Sequence, residues 1–578
     1  MTGRDRDSFR TLRKLLGFIK PYSSLFYLVV GLSLVLSVLA PLRPYLIRMS
    51  IDRDLAARDT EGLWEMLLLL LGLLLIHACI QFCQLYLSGI LGQNVIRNVR
   101  MKVFRHLQRM KLRVFDKTPV GQLMTRCVSD VETLSDIFTE GLASIAGDSL
   151  QLISITVLMF IVDWRLALVS LSSLPLLLIS TYIFKEKIKV SFRQVRQAVG
   201  QLNAFVQEHI TGMSIIQLFN HGASEYEKFK KINKVHRQAH MRSVLYYSIY
   251  YPVTEIAQAM AIGLIIWYGA RGVIADRLSI GLLISFIMYI IMLYRPIRMI
   301  ADKFNTVQMG IAGAQRIFQL MDDKTVLDDS GHRAPHQVKG HIVFEDVWVS
   351  YGKEQVLKGI SFEILPGQKI GLVGHTGSGK TTLVQSLTRF YDIEQGTIYL
   401  DGISIQEFEP SSLRQKIGLV LQDPFLFSDS IRNNITLYQP FPEENLRRLA
   451  EEVGAWKFIK ACPNGWDFQV MERGGLLSAG QRQLISLMRV MLTQPPILVL
   501  DEATSSIDSH TEQTIQQALN TIQQGRTCLI IAHRLSTLRK VDKIIVLNEG
   551  QVAEIGTHPE LLKKGGLYAQ FHKASQST

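Results

Sequence analysis

Residues 368–391 read QKIGLVGHTGSGKTTLVQSLTRFY, and this run decides the fold of the C-terminal half of the chain. An apolar stretch typical of a strand ends in a glycine-rich loop, which opens directly into an amphipathic helix. The loop at 374–381 matches the phosphate-binding P-loop pattern G-x-x-x-x-G-K-[ST] in full. Glycines let the backbone wrap around phosphates, and successive N–H groups at a helix N-terminus oppose their charge. The run therefore predicts a nucleotide-phosphate site on an α/β domain.

Polar side chains end three further predicted strands. The apolar run ILVL leads into Asp501 and Glu502, TCLIIA leads into His533, and IGLVL leads into Gln422. Such runs are typical of buried parallel strands. We expect Asp501 to face a metal ion, Glu502 to polarise the attacking water, and His533 to contact the γ-phosphate. A pair of surface acids is the alternative, but it would not explain why both carboxylates end a buried strand.

Other residues are expected to hold the nucleotide itself. Lys380 should reach the β- and γ-phosphates, and the Thr381 hydroxyl should bind Mg²⁺ together with Asp501. The Gln422 amide could touch Mg²⁺ or the attacking water, so it counts as a catalytic candidate beside Glu502 and His533. Tyr351 precedes the P-loop, where its ring can stack on a base. The predicted nucleotide-binding residues are Tyr351, Gly374, His375, Thr376, Gly377, Ser378, Gly379, Lys380, Thr381 and Thr382.

The run GLLSAGQRQLISL at 475–487 places a serine and small residues before a predicted helix, which is a favourable site for an anion. With this run, the set of motifs resembles the nucleotide-binding domain of ABC transporters: an A-loop, Walker A, Q-loop, signature (477–481), Walker B (497–501) and D-loop (505–508). The resemblance implies a head-to-tail dimer that holds two ATP molecules. In that dimer the signature acts on the partner's ATP, through Ser478, Ala479, Gly480 and Gln481, and Asp508 belongs to the D-loop.

Six apolar stretches in the N-terminal half are long enough to cross a bilayer, which needs about 20 residues each. They cover roughly residues 25–47, 63–90, 140–162, 164–184, 246–270 and 278–299. The composition agrees, because 48% of the residues are hydrophobic and only 20% are charged. We therefore predict a polytopic α-helical membrane domain followed by an α/β P-loop NTPase domain of ABC type.

Basic residues predict the orientation in the membrane. Segment 97–126 carries nine Lys and Arg residues against one acid, Asp116, whereas loop 48–62 carries three arginines against four acids. The positive-inside rule then makes the long segments, both termini and the nucleotide domain cytoplasmic, in a multi-pass protein of the cell (inner) membrane. The net charge of +13 thus favours lipid headgroups over nucleic acid as the electrostatic partner. Five cysteines without metal-ligand spacing are expected to be reduced thiols.

The order of the domains resembles the half-transporters of the ABC exporter superfamily. We divide the chain into a membrane domain at 1–318, a linker at 319–336 and a nucleotide-binding domain at 337–578. FDKTPVGQLMTR (115–126) and QEHITGMSIIQLF (207–219) look like the intracellular loops of that family.

This resemblance implies ATP-driven export of amphipathic or hydrophobic compounds, drugs first among them, by alternating access, with ATP and Mg²⁺ and a second half-transporter. A lipid flippase or lipid A-like exporter is the alternative. A peptide exporter is less favoured, because no cysteine-protease-like domain precedes the first span. A non-transporting regulatory subunit is also less favoured, because Glu502 and His533 are retained.

Polar groups inside a span are costly and often functional. Glu255 and Gln258 lie about one turn apart in the fifth span, after four tyrosines at 246–251. An acid beside aromatic rings could receive a small amphipathic cation. Alternatively, Glu255 pairs internally and the tyrosines form a belt at the membrane interface.

Two positions depart from the family pattern. The signature usually reads LSGGQ, whereas this chain has Ala479 at the third position, and Met471 stands where exporters usually have glycine before a glutamate. Intact Walker motifs beside an altered signature favour a heterodimer, in which the partner has a regular signature and a substituted catalytic glutamate. A homodimer remains the alternative, because alanine is small.

Overall fold

The structure is a computed structural model, and it describes residues 3–137, 143–327, 331–352, 354–501, 509–532 and 538–576. The chain divides into two compact units. The first comprises Met1–Gln108 and Pro119–Lys324, and the second comprises Arg109–Thr118 and Thr325–Thr578. Glu502, Asp508 and His533, three of the predicted site residues, lie outside the described residues.

Helices make up the described N-terminal half. They are α1 (Gly3–Ile19), α2 (Ser23–Met49), α3 (Thr60–Arg109), α4 (Leu112–Lys117), α5 (Val120–Cys127), α6 (Ser129–Asp136), α7 (Ala143–Val162), α8 (Trp164–Leu171), α9 (Leu174–Thr211), α10 (Met213–Leu218), α11 (Gly222–Ile274) and α12 (Ile280–Met321). Within the described residues, six helical segments are long and apolar enough to span a membrane. The prediction of six spans is therefore confirmed.

Several of these helices are far longer than a bilayer requires. Helix α11 has 53 residues, which corresponds to about 80 Å, against a hydrocarbon core of about 30 Å. The fourth predicted span, 164–184, is divided between α8 and α9. The division has a local cause, because Pro175 lacks an N–H and is best tolerated in the first turn of a new helix.

The first unit has an apolar core between α11 and α12, where the rings of Phe286, Tyr289 and Tyr294 are fully buried. A charged pair joins α6 to α12. Arg316 donates from Nε to the Asp130 carboxylate at 2.9 Å and makes a second, shorter bond from Nη2. Asp130 is buried, so this bidentate pair fixes α6 against α12.

The second unit contains two sheets. The strands are β1 (Ile342–Tyr351), β2 (Glu354–Ile364), β3 (Lys369–Val373), β4 (Gln395–Leu400), β5 (Ile403–Ser404), β6 (Ile417–Val420), β7 (Ile497–Asp501), β8 (Thr527–Ile531), β9 (Lys543–Asn548) and β10 (Gln551–Gly556). The first sheet is antiparallel with the order β2-β1-β4-β5. The second has the order β10-β9-β3-β8-β7-β6, in which all neighbours except β10 and β9 are parallel. This α/β architecture confirms the predicted fold class.

Helices cover the second sheet and connect its strands. They are α13 (Lys380–Leu387), α14 (Pro410–Gln415), α15 (Ile431–Thr436), α16 (Glu443–Val453), α17 (Trp456–Ala461), α18 (Ala479–Thr493), α19 (Ser509–Ile522), α20 (His558–Lys564) and α21 (Leu567–Gln576). The parallel strands are almost wholly buried, as the apolar runs predict. Their register pairs Leu372 with Ile531 and Leu500 with Ile530, so β3, β8 and β7 end at one edge.

Segment 109–118 belongs to the second unit although it follows a membrane helix in the sequence. Met110 bridges Val326 in antiparallel fashion. The Lys111 N–H donates to Thr325 O at 3.1 Å, and the Leu327 N–H donates to Arg109 O at 2.7 Å. A division by continuous residue ranges, such as 1–318 and 337–578, places this segment in the membrane domain, whereas its contacts lie with the C-terminal unit.

Candidate functional site

The P-loop connects the buried strand β3 to helix α13. Gly377 and Gly379 have φ angles of +85° and +100°, a region that favours glycine. Gly374 has a different reason to be glycine, since a Cβ there would lie 2.4 Å from Leu547 O. The three glycines therefore allow the loop to curl tightly at the carboxyl end of β3.

Lys380 lies inside this curl. Its ammonium donates to Gly374 O at 2.7 Å and to His375 O at 2.9 Å. Burial lowers the pKa of Lys380, and the nearby Asp501 carboxylate raises it in part. The loop thus holds a buried cation through hydrogen bonds to its own carbonyl groups. An anionic ligand can take the place of these carbonyls as the hydrogen-bond acceptor of Lys380.

Ser378 provides a second group with unused bonding capacity. Its Oγ is buried and has no hydrogen-bond partner among the described residues. A buried hydroxyl without a partner is costly. A hydroxyl, an ammonium and a left-handed glycine loop at a helix N-terminus are the donor set that a nucleotide polyphosphate needs, so ATP fits this site.

The residues predicted to bind Mg²⁺ lie at or just beyond the ends of the neighbouring strands and at the start of α13. Asp501 ends β7, which lies between β6 and β8. Gln422 comes two residues after β6 and is exposed, and the Thr381 side chain is exposed at the start of α13. These positions are compatible with Mg²⁺ binding, since hydroxyl, amide and carboxylate oxygens are ligands that Mg²⁺ accepts.

Tyr351 is held from two directions. Its hydroxyl contacts Thr382 Oγ1 at 3.0 Å and donates to Gln385 Oε1 at 2.9 Å, both on α13. The ring of Tyr391 meets it edge-on, with the centroids 4.8 Å apart. The ring predicted to stack on a base is therefore fixed to the same helix that begins at the P-loop.

Sequence reasoning missed Tyr391 and its partners. The buried Tyr391 donates a short hydrogen bond to Asp116, and the Lys111 ammonium pairs with Asp392 at 2.5 Å. Burial and the Asp116 carboxylate raise the pKa of Tyr391, so it is a neutral donor at physiological pH. One signal was available, because Asp116 is the only acid in the basic segment 97–126.

Ser478 and Gln481 form a capping box at the start of α18. Ser478 Oγ accepts from the Gln481 N–H at 3.2 Å, and the Ser478 N–H donates to Gln481 Oε1 at 2.9 Å. Ala479 is the first residue of the helix and is half-buried, and Gly480 is buried. The signature therefore presents a capped helix N-terminus, and alanine at 479 suits its helical backbone.

The turn before the signature carries backbone strain. Met471 has φ 59° and ψ −175°, and Arg473 has φ 54°. Only glycine adopts the first conformation easily, and a larger residue there costs about 1–3 kcal/mol. Hydrogen bonds from both sides hold the turn, among them Val470 N–H to Asp429 O at 3.0 Å. The departure at Met471 therefore keeps the backbone that glycine would favour.

The segment after Gln422 is fastened to the signature helix, which sequence reasoning also missed. Arg489 of α18 donates to Asn434 O at 2.9 Å and to Phe425 O at 3.3 Å. Asn434 is fully buried and exchanges hydrogen bonds with the backbone of Phe427. Movement of this segment must therefore involve α18.

The two candidate substrate residues differ in their surroundings. Gln258 Oε1 accepts a hydrogen bond from Arg298 Nη2 at 3.2 Å, whereas Glu255 is exposed on the surface of α11. Tyr250 is buried and stacks on Phe184 with centroids 4.1 Å apart. Gln258 thus faces a cation within this unit, and Tyr250 packs internally rather than at a surface.

Comparison with known proteins agrees with this arrangement. The family model of the ABC transporter transmembrane region matches residues 26–297, and a second family model, described as ABC transporter, matches residues 357–505. An uncharacterised ABC transporter ATP-binding protein of Bacillus subtilis is 36% identical over 98% of this chain and 94% of its own length. An ATP-dependent lipid A-core flippase of Thiobacillus denitrificans is 34% identical over 97% of both chains.

A probable multidrug resistance ABC transporter ATP-binding/permease protein of Bacillus subtilis is 35% identical over 89% of this chain and 77% of its own length. These likenesses extend through both halves and join the membrane helices to the P-loop domain. The chain therefore belongs to the ABC transporter family, as a membrane-embedded half-transporter that couples ATP hydrolysis to transport.

Proposed function

We propose that the chain exports amphipathic or hydrophobic compounds, drugs among them, across the cytoplasmic membrane. The observation that carries this proposal is a phosphate-binding loop on the same chain as six candidate spans. Among the described residues, its Lys380 ammonium is buried and its Ser378 hydroxyl has no hydrogen-bond partner. Such a loop binds ATP before each transport cycle. Both termini and the nucleotide-binding domain lie on the cytoplasmic side, as the basic long segments favour.

The residues divide the chemistry among them. Lys380 neutralises the β- and γ-phosphates, and the P-loop N–H groups orient them. Thr381, Asp501 and Gln422 hold Mg²⁺, which screens the phosphate charge when it is bound. Glu502 polarises the attacking water, and His533 contacts the γ-phosphate.

A second half-transporter completes the site. Its signature helix caps the γ-phosphate held by this chain, while Ser478, at the N-terminus of α18, serves the ATP held by the partner. We favour a heterodimer. The support is the asymmetry between an intact P-loop and a chain that departs from the family pattern at Ala479 and Met471.

A lipid is the second candidate substrate, and one observation favours it. Arg298 places a guanidinium beside Gln258, and its Nε is buried without a hydrogen-bond partner among the described residues. A guanidinium inside the membrane domain attracts an anionic headgroup rather than a cationic drug. The flippases among the relatives, which act on lipid A-core by name, are consistent with this candidate.

ATPase measurements on the transporter in nanodiscs, this chain together with its partner half-transporter, test the proposal. Glu502→Gln and Lys380→Ala should each abolish turnover, whereas only Lys380→Ala should weaken ATP binding. Unchanged turnover in Glu502→Gln would refute its assigned role. Stimulation by lipophilic cations supports drug export, and stimulation by phosphorylated lipids alone supports lipid export. Equal turnover at two sites in a dimer of this chain alone would contradict the heterodimer.

A further inference from the structure

The last described helix, α21, is fixed to the body of the second unit at its N-terminus. The Leu567 N–H donates to Glu554 Oε1 at 2.7 Å, and the Tyr568 N–H donates to Glu554 Oε2 at 3.2 Å. A carboxylate at a helix N-terminus satisfies free N–H groups and opposes the helix dipole. Glu554 of β10 therefore caps α21.

The first turn of α21 also enters the hydrophobic core. Tyr568 is fully buried, and its hydroxyl lies 2.6 Å from His558 Nδ1 on α20. The same apolar cluster contains Val373, the residue directly before the P-loop. The helix is thus anchored by its cap and by a core residue, and it cannot shift without disturbing the base of the P-loop.

One turn further along, Phe571 reaches the P-loop itself. Its ring meets the His375 ring at 63° with centroids 4.6 Å apart, an edge-to-face geometry that is favourable for aromatic pairs. Phe571 also packs against the core cluster, whereas His375 is exposed. An anchored ring therefore holds an otherwise exposed loop residue.

His375 also holds the side chain of Lys380 through its backbone. Its carbonyl accepts from Lys380 Nζ at 2.9 Å. The position of the His375 peptide therefore affects where the ammonium rests and how the loop is curled. A chain of contacts runs from α21 through Phe571 and His375 to Lys380.

We propose that Phe571 is a positioning residue for ATP, which keeps the P-loop in its phosphate-binding conformation through His375. This inference rests on the proposed nucleotide site. Without the ring, the loop samples conformations that cannot bind phosphate. The apparent affinity for ATP then decreases in proportion to the fraction of molecules whose loop is in the binding conformation. Phe571 acts through its contact with His375 and is not one of the residues to which we assign the chemistry, so the rate of the bound complex is preserved.

A double-mutant cycle in the full-length transporter tests this role. Binding of a fluorescent ATP analogue is titrated in the unmodified protein, Phe571→Ala, His375→Ala and the double variant, beside ATPase kinetics. Phe571→Ala should raise Kd and KM about two- to tenfold, the change expected for loss of one aromatic contact, with little change in kcat. The double variant should bind no more weakly than His375→Ala alone.

Matched controls separate positioning from general destabilisation. Leu562 of α20 packs against the same core, so Leu562→Ala should lower Tm about as much as Phe571→Ala yet leave Kd unchanged. Phe571→Tyr keeps the ring and should restore normal binding. Additive losses in the cycle, an unchanged Kd in Phe571→Ala, or an equal Kd change in Leu562→Ala would each overturn the proposal. If Lys380→Ala bound the nucleotide normally, the proposed site itself would be wrong.

Discussion

Replacing Tyr391 with phenylalanine should weaken the attachment of α4 to the rest of the second unit while leaving the nucleotide site intact. Tyr391 has two separable contacts. Its ring edge supports Tyr351, and its hydroxyl donates to Asp116 on α4. Phenylalanine keeps the first contact and removes the second, without leaving a buried donor unpaired.

The magnitude follows from the surroundings of the two groups. A hydrogen bond to a charged acceptor contributes about 1.5–3 kcal/mol, but Asp116 is exposed and can be hydrated again once the bond is lost. We therefore expect about 1 kcal/mol, which corresponds to about a fivefold larger population of detached α4. The second pair, Lys111 with Asp392, has an acid that is 69% exposed, so Lys111→Ala should have a smaller effect.

Hydrogen exchange read by mass spectrometry measures this population directly. Peptides covering 112–117 should exchange about fivefold faster in Tyr391→Phe than in the unmodified transporter. The Kd of a fluorescent ATP analogue should stay within about twofold. Tyr391→Ala, which also loses the support of Tyr351, should show both faster exchange and weaker ATP binding.

Two results would refute this reasoning. If Tyr391→Phe weakened ATP binding as much as Tyr391→Ala, the hydroxyl and the ring would not have separate roles. If exchange of 112–117 were unchanged, the bond to Asp116 would contribute nothing to holding α4. Asp116→Asn, whose amide oxygen still accepts, is the control and should exchange more slowly than Tyr391→Phe.

Three further predictions concern stability. Met471→Gly should raise the unfolding free energy by about 1 kcal/mol. The relief of about 1–3 kcal/mol of backbone strain exceeds the extra conformational entropy that glycine loses on folding. A lower Tm in thermal unfolding would contradict this. Arg316→Met should cost about 2 kcal/mol by leaving the buried Asp130 carboxylate without its bidentate partner, and a denaturant titration that shows no loss would contradict this. Burial, His572 and Arg539 lower the pKa of His558. As the pH drops below about 6.5, the unfolded chain therefore takes up a proton at this histidine before the folded chain does, and the stability of the fold decreases. His558→Gln should make this decrease in Tm smaller, and an unchanged decrease would contradict the assignment.

The motifs that were found from the sequence share one property. Each is a short contiguous pattern of residues that determines the local backbone conformation. The glycines of the P-loop, the apolar runs of β7 and β8 and the six long apolar stretches encode their structure within a few residues. Contacts between segments that are distant in the sequence leave no such contiguous pattern. The bond from Asp116 to Tyr391 joins residues 275 positions apart, and the addition of 109–118 to the second unit depends on it and on the bridge to Val326.

The two departures from the family pattern have opposite local consequences, which bears on the partner. Ala479 starts a helix, where alanine is more favourable than glycine, so this chain gains slightly from the change. Met471 keeps a strained backbone and should lower stability. In the proposed heterodimer, we therefore expect any functional effect of Ala479 to arise where its methyl group meets the ATP held by the partner, because alanine does not destabilise this chain. Ala479→Gly in that heterodimer should therefore lower the stability of this chain slightly, leave its ATP affinity unchanged and alter turnover only at the site that the partner hosts.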